Sequence, residues 1–336
     1  MSHYADTKRC RNRLHSPYSS IAGFTLIELM ISLVLGLLIS AAVIQVYIIN
    51  TRTVTVQQSA SEVQDSSIFA LQGLEDKVRL ANMGNPITSI NDKTAHGGIV
   101  VSISNLGTNP PGYGLDNFTV SAGQSTDGRT YGGPSNTTVG SDKLSIQYKN
   151  ITPNDMYDCK GGKIEAGSPD WVIESYYVRL ATNASTNASG VEDLVLACDA
   201  FRNNDAGNNL TGYTNNVGQV ITPGVDQFKV LLGVQTDISN ITYISSKTYS
   251  ELTDKPPITT VKLGIIVRST TPLLTDVDKD TFTVLGSSQS LKTDTTRAKY
   301  YRRSYESTIL LRNARVMNII ATQPKLASTT TAPGGG

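Results

Sequence analysis

Hydrophobic residues dominate one stretch near the N-terminus of the chain. Residues 24–49 contain no Lys, Arg or Pro, and Glu28 is their one ionisable acid. As an α-helix this stretch would be roughly 39 Å long, whereas the hydrocarbon core of a membrane is about 30 Å thick. The pattern therefore predicts a membrane-spanning helix with a single carboxylate near its beginning.

The helical pattern continues beyond this stretch with a different character. No proline occurs from Phe24 until Pro86, and spacings of three and four define an apolar face made of Val56, Ala60, Val63, Ser67, Ala70, Leu71, Leu74, Lys77, Val78 and Ala81. Lys77 interrupts this face. The pattern indicates an amphipathic helix. A coiled-coil seam and docking on a sheet both fit it, and the width of the face favours the sheet. Residues 82–86 predict the end of the helix.

After Pro86 the hydrophobic period changes to two, which is typical of strands. We predict strands at residues 99–104, 143–149, 171–180, 193–200, 228–235, 259–268 and 304–313, and a short helix at residues 249–252. Long loops rich in Gly, Asn, Ser and Thr separate them. The predicted fold class is α+β: a long N-terminal helix, hydrophobic and then amphipathic, packed on an antiparallel β-sheet head.

These patterns divide the chain into five segments. They are a basic leader (1–23), a hydrophobic helix (24–52), an amphipathic helix (53–85), a β-rich globular head (86–322) and a low-complexity, flexible tail (323–336). The basic leader predicts that the N-terminal side faces the cytoplasm and that the head is exported, since cations stay on the cytoplasmic side of a spanning helix.

Charge argues against a dedicated nucleic-acid binder. The formal net charge is +1, and four cations and one acid lie before Phe24, so the remainder has 25 basic and 27 acidic residues, a net of −2. Strong non-specific DNA binding needs a basic surface.

Two cysteines remain once the leader, which contains Cys10, is set aside. Cys159 and Cys198 form an even pair, as expected for one disulfide in an oxidising compartment. Two unpaired buried cysteines are the alternative.

The acid in the apolar stretch needs an explanation, because a carboxylate in lipid costs several kcal/mol unless it is paired. An ordinary secretory signal has a small-residue cleavage site after its apolar core, but here Gly23 precedes it. A plain signal anchor leaves Glu28 unexplained. Cleavage between Gly23 and Phe24 would create a charged α-amino group four residues before Glu28. That amine could pair with a carboxylate on its own chain or on a neighbouring chain, and head-to-tail contacts that do not close form a filament.

The residues GFTLIEL at positions 23–29 resemble the signature of type IV prepilins and pseudopilins. The resemblance implies that a prepilin peptidase cuts after Gly23 and methylates Phe24, and that Glu28 acts in assembly. Many major pilins have a proline at the position of Gln45, so its absence favours a minor component.

Later segments resemble the PilW family of minor pilins, namely DLVLAC at residues 193–198, the stretch 225–237 that ends in GVQTD, and residues 302–313. The resemblance implies a non-enzymatic minor pilin in a priming or tip complex that supports adhesion, twitching motility or DNA uptake. Its partners would be other minor and major pilins, prepilin peptidase, the inner-membrane assembly machinery and a tip adhesin. It would be stored in the inner membrane of a Gram-negative bacterium, with a periplasmic head, before joining the surface pilus. A minor pseudopilin of type II secretion, and a head that itself binds DNA or a host surface, are the alternatives.

The remaining candidate chemistry is sparse, and we expect no catalytic, metal or cofactor site. His96 is the one histidine after the leader and is expected in an exposed loop. Asp276, Asp278 and Asp280 have the spacing of a calcium loop but lack its later glycine and glutamate, so a solvated turn is favoured. The sequence KYYRR at residues 299–303 could stack on nucleic acid, but an ordinary strand with alternating faces is favoured. Trp171 is expected in the core.

Overall fold

The computed structural model describes residues 23–107, 117–126, 128–181, 193–203, 210–211, 217–237, 240–273, 279–293 and 299–314. Within them the helices are α1 (Leu26–Arg79), a 3₁₀ helix (Ile103–Leu106) and α2 (Ser246–Glu251). The strands are β1 (Ser125–Thr126), β2 (Arg129–Thr130), β3 (Lys143–Lys149), β4 (Met156–Tyr157), β5 (Lys163–Ile164), β6 (Trp171–Leu180), β7 (Leu194–Asn203), β8 (Leu210–Thr211), β9 (Gln219–Pro223), β10 (Val225–Gln235), β11 (Ile241–Ile244), β12 (Ile258–Pro272), β13 (Thr281–Val284), β14 (Ser287–Ser290) and β15 (Tyr300–Leu310). Residues 1–22 of the predicted leader (1–23) and the whole predicted tail (323–336) lie outside these residues.

The polypeptide divides at Thr51 into two units. The described part of the first unit is the beginning of α1 and the residues just before it. The second unit, which we call the head, contains the rest of α1 and all the strands. The predicted fold class, a long N-terminal helix with an antiparallel β head, is confirmed.

The head contains two larger sheets, both antiparallel. In the first, β6 lies between β3 and β7, and β7 pairs in addition with β8 and β9. In the second, the strand order is β11-β10-β12-β15. The hairpins β1-β2, β4-β5 and β13-β14 complete the paired strands of the described residues.

One hydrophobic core joins both sheets to the second half of α1. The helix contributes Val63, Leu71, Leu74 and Val78 to a cluster that contains apolar side chains of β3, β6, β7, β10, β12 and β15. The helix therefore docks on the sheets of its own head, as the width of its apolar face predicts. The buried face differs at its beginning, because Ser59 is buried whereas Val56 is exposed.

The helix ends at Arg79, and a polar side chain fixes the chain that follows it. Asn82, whose φ is 66°, donates from Nδ2 to the carbonyl oxygens of Ile87 (2.9 Å) and Asn313 (2.7 Å), and its Oδ1 accepts from the Gly98 amide (3.1 Å). A Cβ on Gly98 would lie 2.3 Å from the Asn82 nitrogen. This close approach requires glycine at position 98. The bond from Asn82 to the Asn313 oxygen joins the end of α1 to the residues just after β15.

Most predicted strands match the structure, but one does not. The predicted ranges 143–149 and 171–180 coincide with β3 and β6. At residues 99–104 only Ile99 forms a bridge, and a 3₁₀ helix begins at Ile103. Here the Asn105 carboxamide oxygen accepts hydrogen bonds from the backbone amides of Val101 and Ser102. Because these amides bond a nearby side chain, they do not bond a neighbouring strand, and the chain turns instead of continuing as a strand.

Candidate functional site

The N-terminal residues of interest lie at the very beginning of α1. Gly23 and Phe24 precede the helix and are exposed, Phe24 to 85%. The Glu28 amide donates to the backbone oxygen of Thr25 at 3.1 Å and to its Oγ1 at 3.3 Å, so Thr25 caps the helix. Glu28 therefore lies in the first turn, where the helix dipole favours a carboxylate. The peptide bond between Gly23 and Phe24 lies outside the helix, between two exposed residues.

The helix that follows exposes its apolar side chains on every side. From Leu26 to Ile49 each large hydrophobic side chain is exposed. Within the described residues, α1 is the one helix whose length and composition would allow it to cross a membrane. Exposed apolar surface of this extent needs a hydrophobic environment, which lipid or neighbouring helices can supply. Glu28 is the one acid in this apolar part of α1. Gly23, Phe24 and Glu28 lie together at the start of the helix, as their spacing in the sequence predicts.

A buried carboxylate connects α1, β3, β6 and the disulfide of the head. Glu174 on β6 is fully buried, and its Oε1 accepts from the Tyr148 hydroxyl (2.8 Å) and the Cys159 amide (2.9 Å), while its Oε2 accepts from the Tyr176 hydroxyl (2.5 Å). Lys77 Nζ lies 3.5 Å from Oε1. The cation that interrupts the apolar face of α1 therefore has a buried partner in the sheet.

Burial and the adjacent carboxylate affect the two tyrosines in the same direction. Desolvation, followed by the charge of Glu174 and the hydrogen bond to it, raises the pKa of both Tyr148 and Tyr176 above the ordinary value of 10.0. Both hydroxyls therefore stay protonated and donate to Glu174 over the physiological pH range.

Cys159 and Cys198 are joined by a disulfide, with their Cα atoms 6.2 Å apart. This is the pairing that the sequence predicts. The sulfur atoms and a Glu174 oxygen lie within 4.8 Å of one another, which by spacing alone could hold a metal ion. Because both sulfurs are consumed in the disulfide, they offer no thiolate ligand.

Two family models match the chain. The model described as prokaryotic N-terminal methylation motif matches residues 18–44, which include Gly23, Phe24 and Glu28. The model described as Type IV Pilus-assembly protein W matches residues 175–313, which extend from β6 to the turn after β15. The PilW model thus matches a later part of the chain, behind a match to the N-terminal methylation motif of prepilins. These matches support the role of a minor pilin of a type IV pilus.

Structural comparison finds a type IV-like pilin from Thermus thermophilus. It is 11% identical, with a TM-score of 0.30, and the alignment covers 54% of this chain and 81% of the pilin. No curated protein sequence matches the chain.

In the region that matches the PilW model, two buried arginines pair with an acid of the same head. Arg302 Nε lies 2.6 Å from Asp226 Oδ2, and Arg268 Nε lies 3.2 Å from Asp226 Oδ1. Tyr300 and Arg302 are buried, whereas Arg303 is exposed. The KYYRR segment thus has the alternating faces predicted for an ordinary strand, and its buried arginine neutralises a buried acid instead of facing a ligand.

His96 differs from its prediction as an exposed loop residue. Its ring is half-buried and stacks on Trp171 with centroids 4.3 Å apart, and Nδ1 lies 3.2 Å from Gln147 Nε2. The indole ring of Trp171 provides the apolar surface on which the His96 imidazole stacks. Trp171 itself is buried, as predicted.

Asp276 and Asp278 of the calcium-like spacing lie outside the described residues, and Asp280 is exposed. Sequence reasoning did not identify Glu174 or Asp226 as central polar residues. For Glu174 a signal existed, since it is the one acid in the strand Trp171–Leu180, most of whose residues are apolar or aromatic.

Proposed function

We propose that this chain is a minor pilin that acts, with other minor pilins, in a complex that primes type IV pilus assembly and lies at the pilus tip. In this role it would be structural and not enzymatic. Adhesion, twitching motility and DNA uptake would depend on it through the pilus. The observation that carries the proposal is the combination of a prepilin methylation motif with a PilW domain on one chain.

The chemistry of the N-terminal segment supports an assembly role. Removal of the leader after Gly23 would leave an α-amino group on Phe24, which prepilin peptidase would then methylate. Glu28 would be an unpaired carboxylate within an exposed apolar helix, so a cation is needed to offset the cost of burying it. The terminal amine of a neighbouring subunit is such a cation, and pairing with it would set the register between adjacent helices.

The head supports the structural half of the proposal. The apolar core and the pair of Lys77 and Glu174 hold the second half of α1 on the sheets. The head can therefore present one fixed surface to other pilins. We infer that the partners are minor and major pilins, the inner-membrane assembly machinery and a tip adhesin. The cell would be a Gram-negative bacterium, with the head in the periplasm before assembly.

Mass spectrometry of the mature N-terminus tests the first step. We expect a chain that begins with methylated Phe24. A mature protein that begins at Met1, or that is cut after Ile49, would contradict the proposal.

The assembly step is tested with Glu28→Ala, for which Asp65→Ala on the exposed side of the same helix is the matched control. Glu28→Ala should leave the head folded but sharply reduce the number of surface pili, whereas Asp65→Ala should not. Normal piliation with Glu28→Ala would show that the acid is not needed.

Deleting the gene distinguishes a role in the pilus from a role in a secretion system. Loss of secreted enzymes with intact pili would instead favour a pseudopilin.

A further inference from the structure

At one edge of the four-stranded sheet, the outer backbone groups of β15 are paired with no other described strand. β15 pairs with β12 on one side, in a register where Thr260 is opposite Leu310. The Leu311 amide donates to the Thr259 oxygen at 3.0 Å. In an antiparallel pair, residues alternate between bonding the partner and pointing their backbone away from it. The backbone groups of Ser304, Glu306, Thr308 and Leu310 therefore point away from β12, and no backbone partner among the described residues bonds their amides.

Every other edge of the two larger sheets is protected by a known device. Beyond β3, the strand is bonded by the Gly98 carbonyl, by the Val100 amide and by both backbone groups of Val120. β8 and β11 are short, at 2 and 4 residues. β9 has 5 residues, ends in Pro223 and pairs with a register shift.

β15 has few of these protections. It has 11 residues, and its register with β12 runs without a shift from Leu310 to Arg302. Residues 304–310 contain no Pro or Lys. Their one charge, Glu306, is already engaged, since its Oε1 accepts from the Leu285 amide at 2.6 Å. Thr308 and Leu310 are exposed, Leu310 to 62%. A long, regular edge whose single charge is engaged within its own chain is a template for another strand.

The orientation of neighbouring subunits determines which edge strand of a neighbouring head can pair with β15. Subunits held in one membrane by their N-terminal helices share one orientation. Two copies joined β15 to β15 would be related by a two-fold axis perpendicular to the sheet, and this axis would reverse the second half of α1, which lies against the sheet. A neighbour in the same orientation instead presents its opposite sheet edge. Since β11, β10, β12 and β15 alternate in direction, the strand at that opposite edge runs antiparallel to β15.

We propose that the β15 edge, at residues 304–310, binds the edge strand of a neighbouring pilin subunit's head, antiparallel and through main-chain hydrogen bonds. This inference rests on the proposed function and names a contact within it. The neighbour's strand lies at the edge of its sheet that corresponds to β11. Such a contact is head-to-tail and does not close on itself, so it joins heads in a row.

Photo-crosslinking in the native bacterium tests the contact on the full chain. Benzoylphenylalanine replaces Leu310 in one strain and Val217 in the control strain. Val217 lies on the same head, just before β9 of the other large sheet, and is similarly exposed at 67%. From Leu310 we expect a crosslink to a head peptide of a different protein that has a prepilin methylation motif. The Val217 strain should not capture that peptide. Crosslinks from Leu310 only to the β15 edge of a second copy of this chain, only within the chain, or to nothing would overturn the proposal.

Backbone chemistry is tested by comparing Thr308→Pro with Thr308→Ala, both in the Leu310 crosslinking strain. Proline removes the outward amide and alanine keeps it, while the bonds to β12 come from the alternate residues. The loss of one hydrogen bond should lower the crosslink yield roughly fivefold for proline and not for alanine. Equal yields in two folded variants would refute the main-chain contact.

If Thr308→Pro does not fold, Thr308→Lys places a charge on the edge and should lower the yield similarly. An unchanged yield with Thr308→Lys would refute the contact in that case. A failure here leaves the Glu28→Ala result intact, so the two proposals are tested separately.

Discussion

The disulfide between Cys159 and Cys198 provides a stability contribution that can be removed without changing the rest of the head. Replacing both residues with Ala opens a covalent loop whose ends are 39 positions apart in the sequence. In the chain-entropy model, a loop of this size stabilises the folded state by about 4 kcal/mol at 25 °C. Cys198 is fully buried, and deleting its sulfur adds a small cavity cost of about 1 kcal/mol. We therefore expect the double variant to lose about 4–5 kcal/mol of unfolding free energy.

Urea unfolding of the detergent-solubilised full chain measures this loss. Trp171 is the one tryptophan of the chain and is buried beneath His96, so its fluorescence reports unfolding of the head. Wild-type protein with a reductant should unfold near the midpoint of the double variant, whereas the reductant should not shift the double variant itself. A loss below about 1 kcal/mol, or a wild-type protein indifferent to the reductant, would refute the reasoning.

Three further predictions concern the head and its helix. Asp226→Ala removes the carboxylate shared by the buried Arg302 and Arg268, although Arg268 keeps its contact with Asp193, and should cost about 3–5 kcal/mol in urea unfolding. Asp76→Ala, at a surface pair, should cost little, and equal losses would contradict a buried ion pair. Gly73 lies within α1, where an added Cβ meets nothing, so Gly73→Ala should raise the free energy of unfolding by about 0.5–1 kcal/mol, and a lower melting temperature would show that the glycine is needed. Because the pKa of Tyr148 and of Tyr176 is raised in the folded head, the unfolded chain releases these protons first, and stability should fall as the pH rises above about 10; a urea midpoint that stays constant there would argue against both shifts.

Local features of the sequence predicted much of the architecture and the position of the N-terminal motif residues at the start of α1. Hydrophobic periodicity depends on which side of an element is buried, and this is why the bounds of β3 and β6 and the docked face of α1 could be predicted. Gly23, Phe24 and Glu28 are close neighbours in the chain, so their spacing alone fixes their arrangement at the helix start. The single cysteine pair left after the leader allowed one disulfide.

Periodicity failed where side chains compete with the backbone or where partners are distant in sequence. The predicted strand at residues 99–104 was wrong because Asn105 bonds the amides that a ladder requires.

Only the tertiary structure decided the long-range partners. Lys77 looked like an error in an apolar face until folding placed the buried Glu174 beside it, 97 positions later in the sequence. The same holds for the pairing of Asp226 with Arg302 and for the position of β15 at a sheet edge. A sequence pattern specifies that a residue is buried or that a segment is extended. Which charge lies beside it, and whether a strand has one neighbour or two, depends on how separate elements pack together.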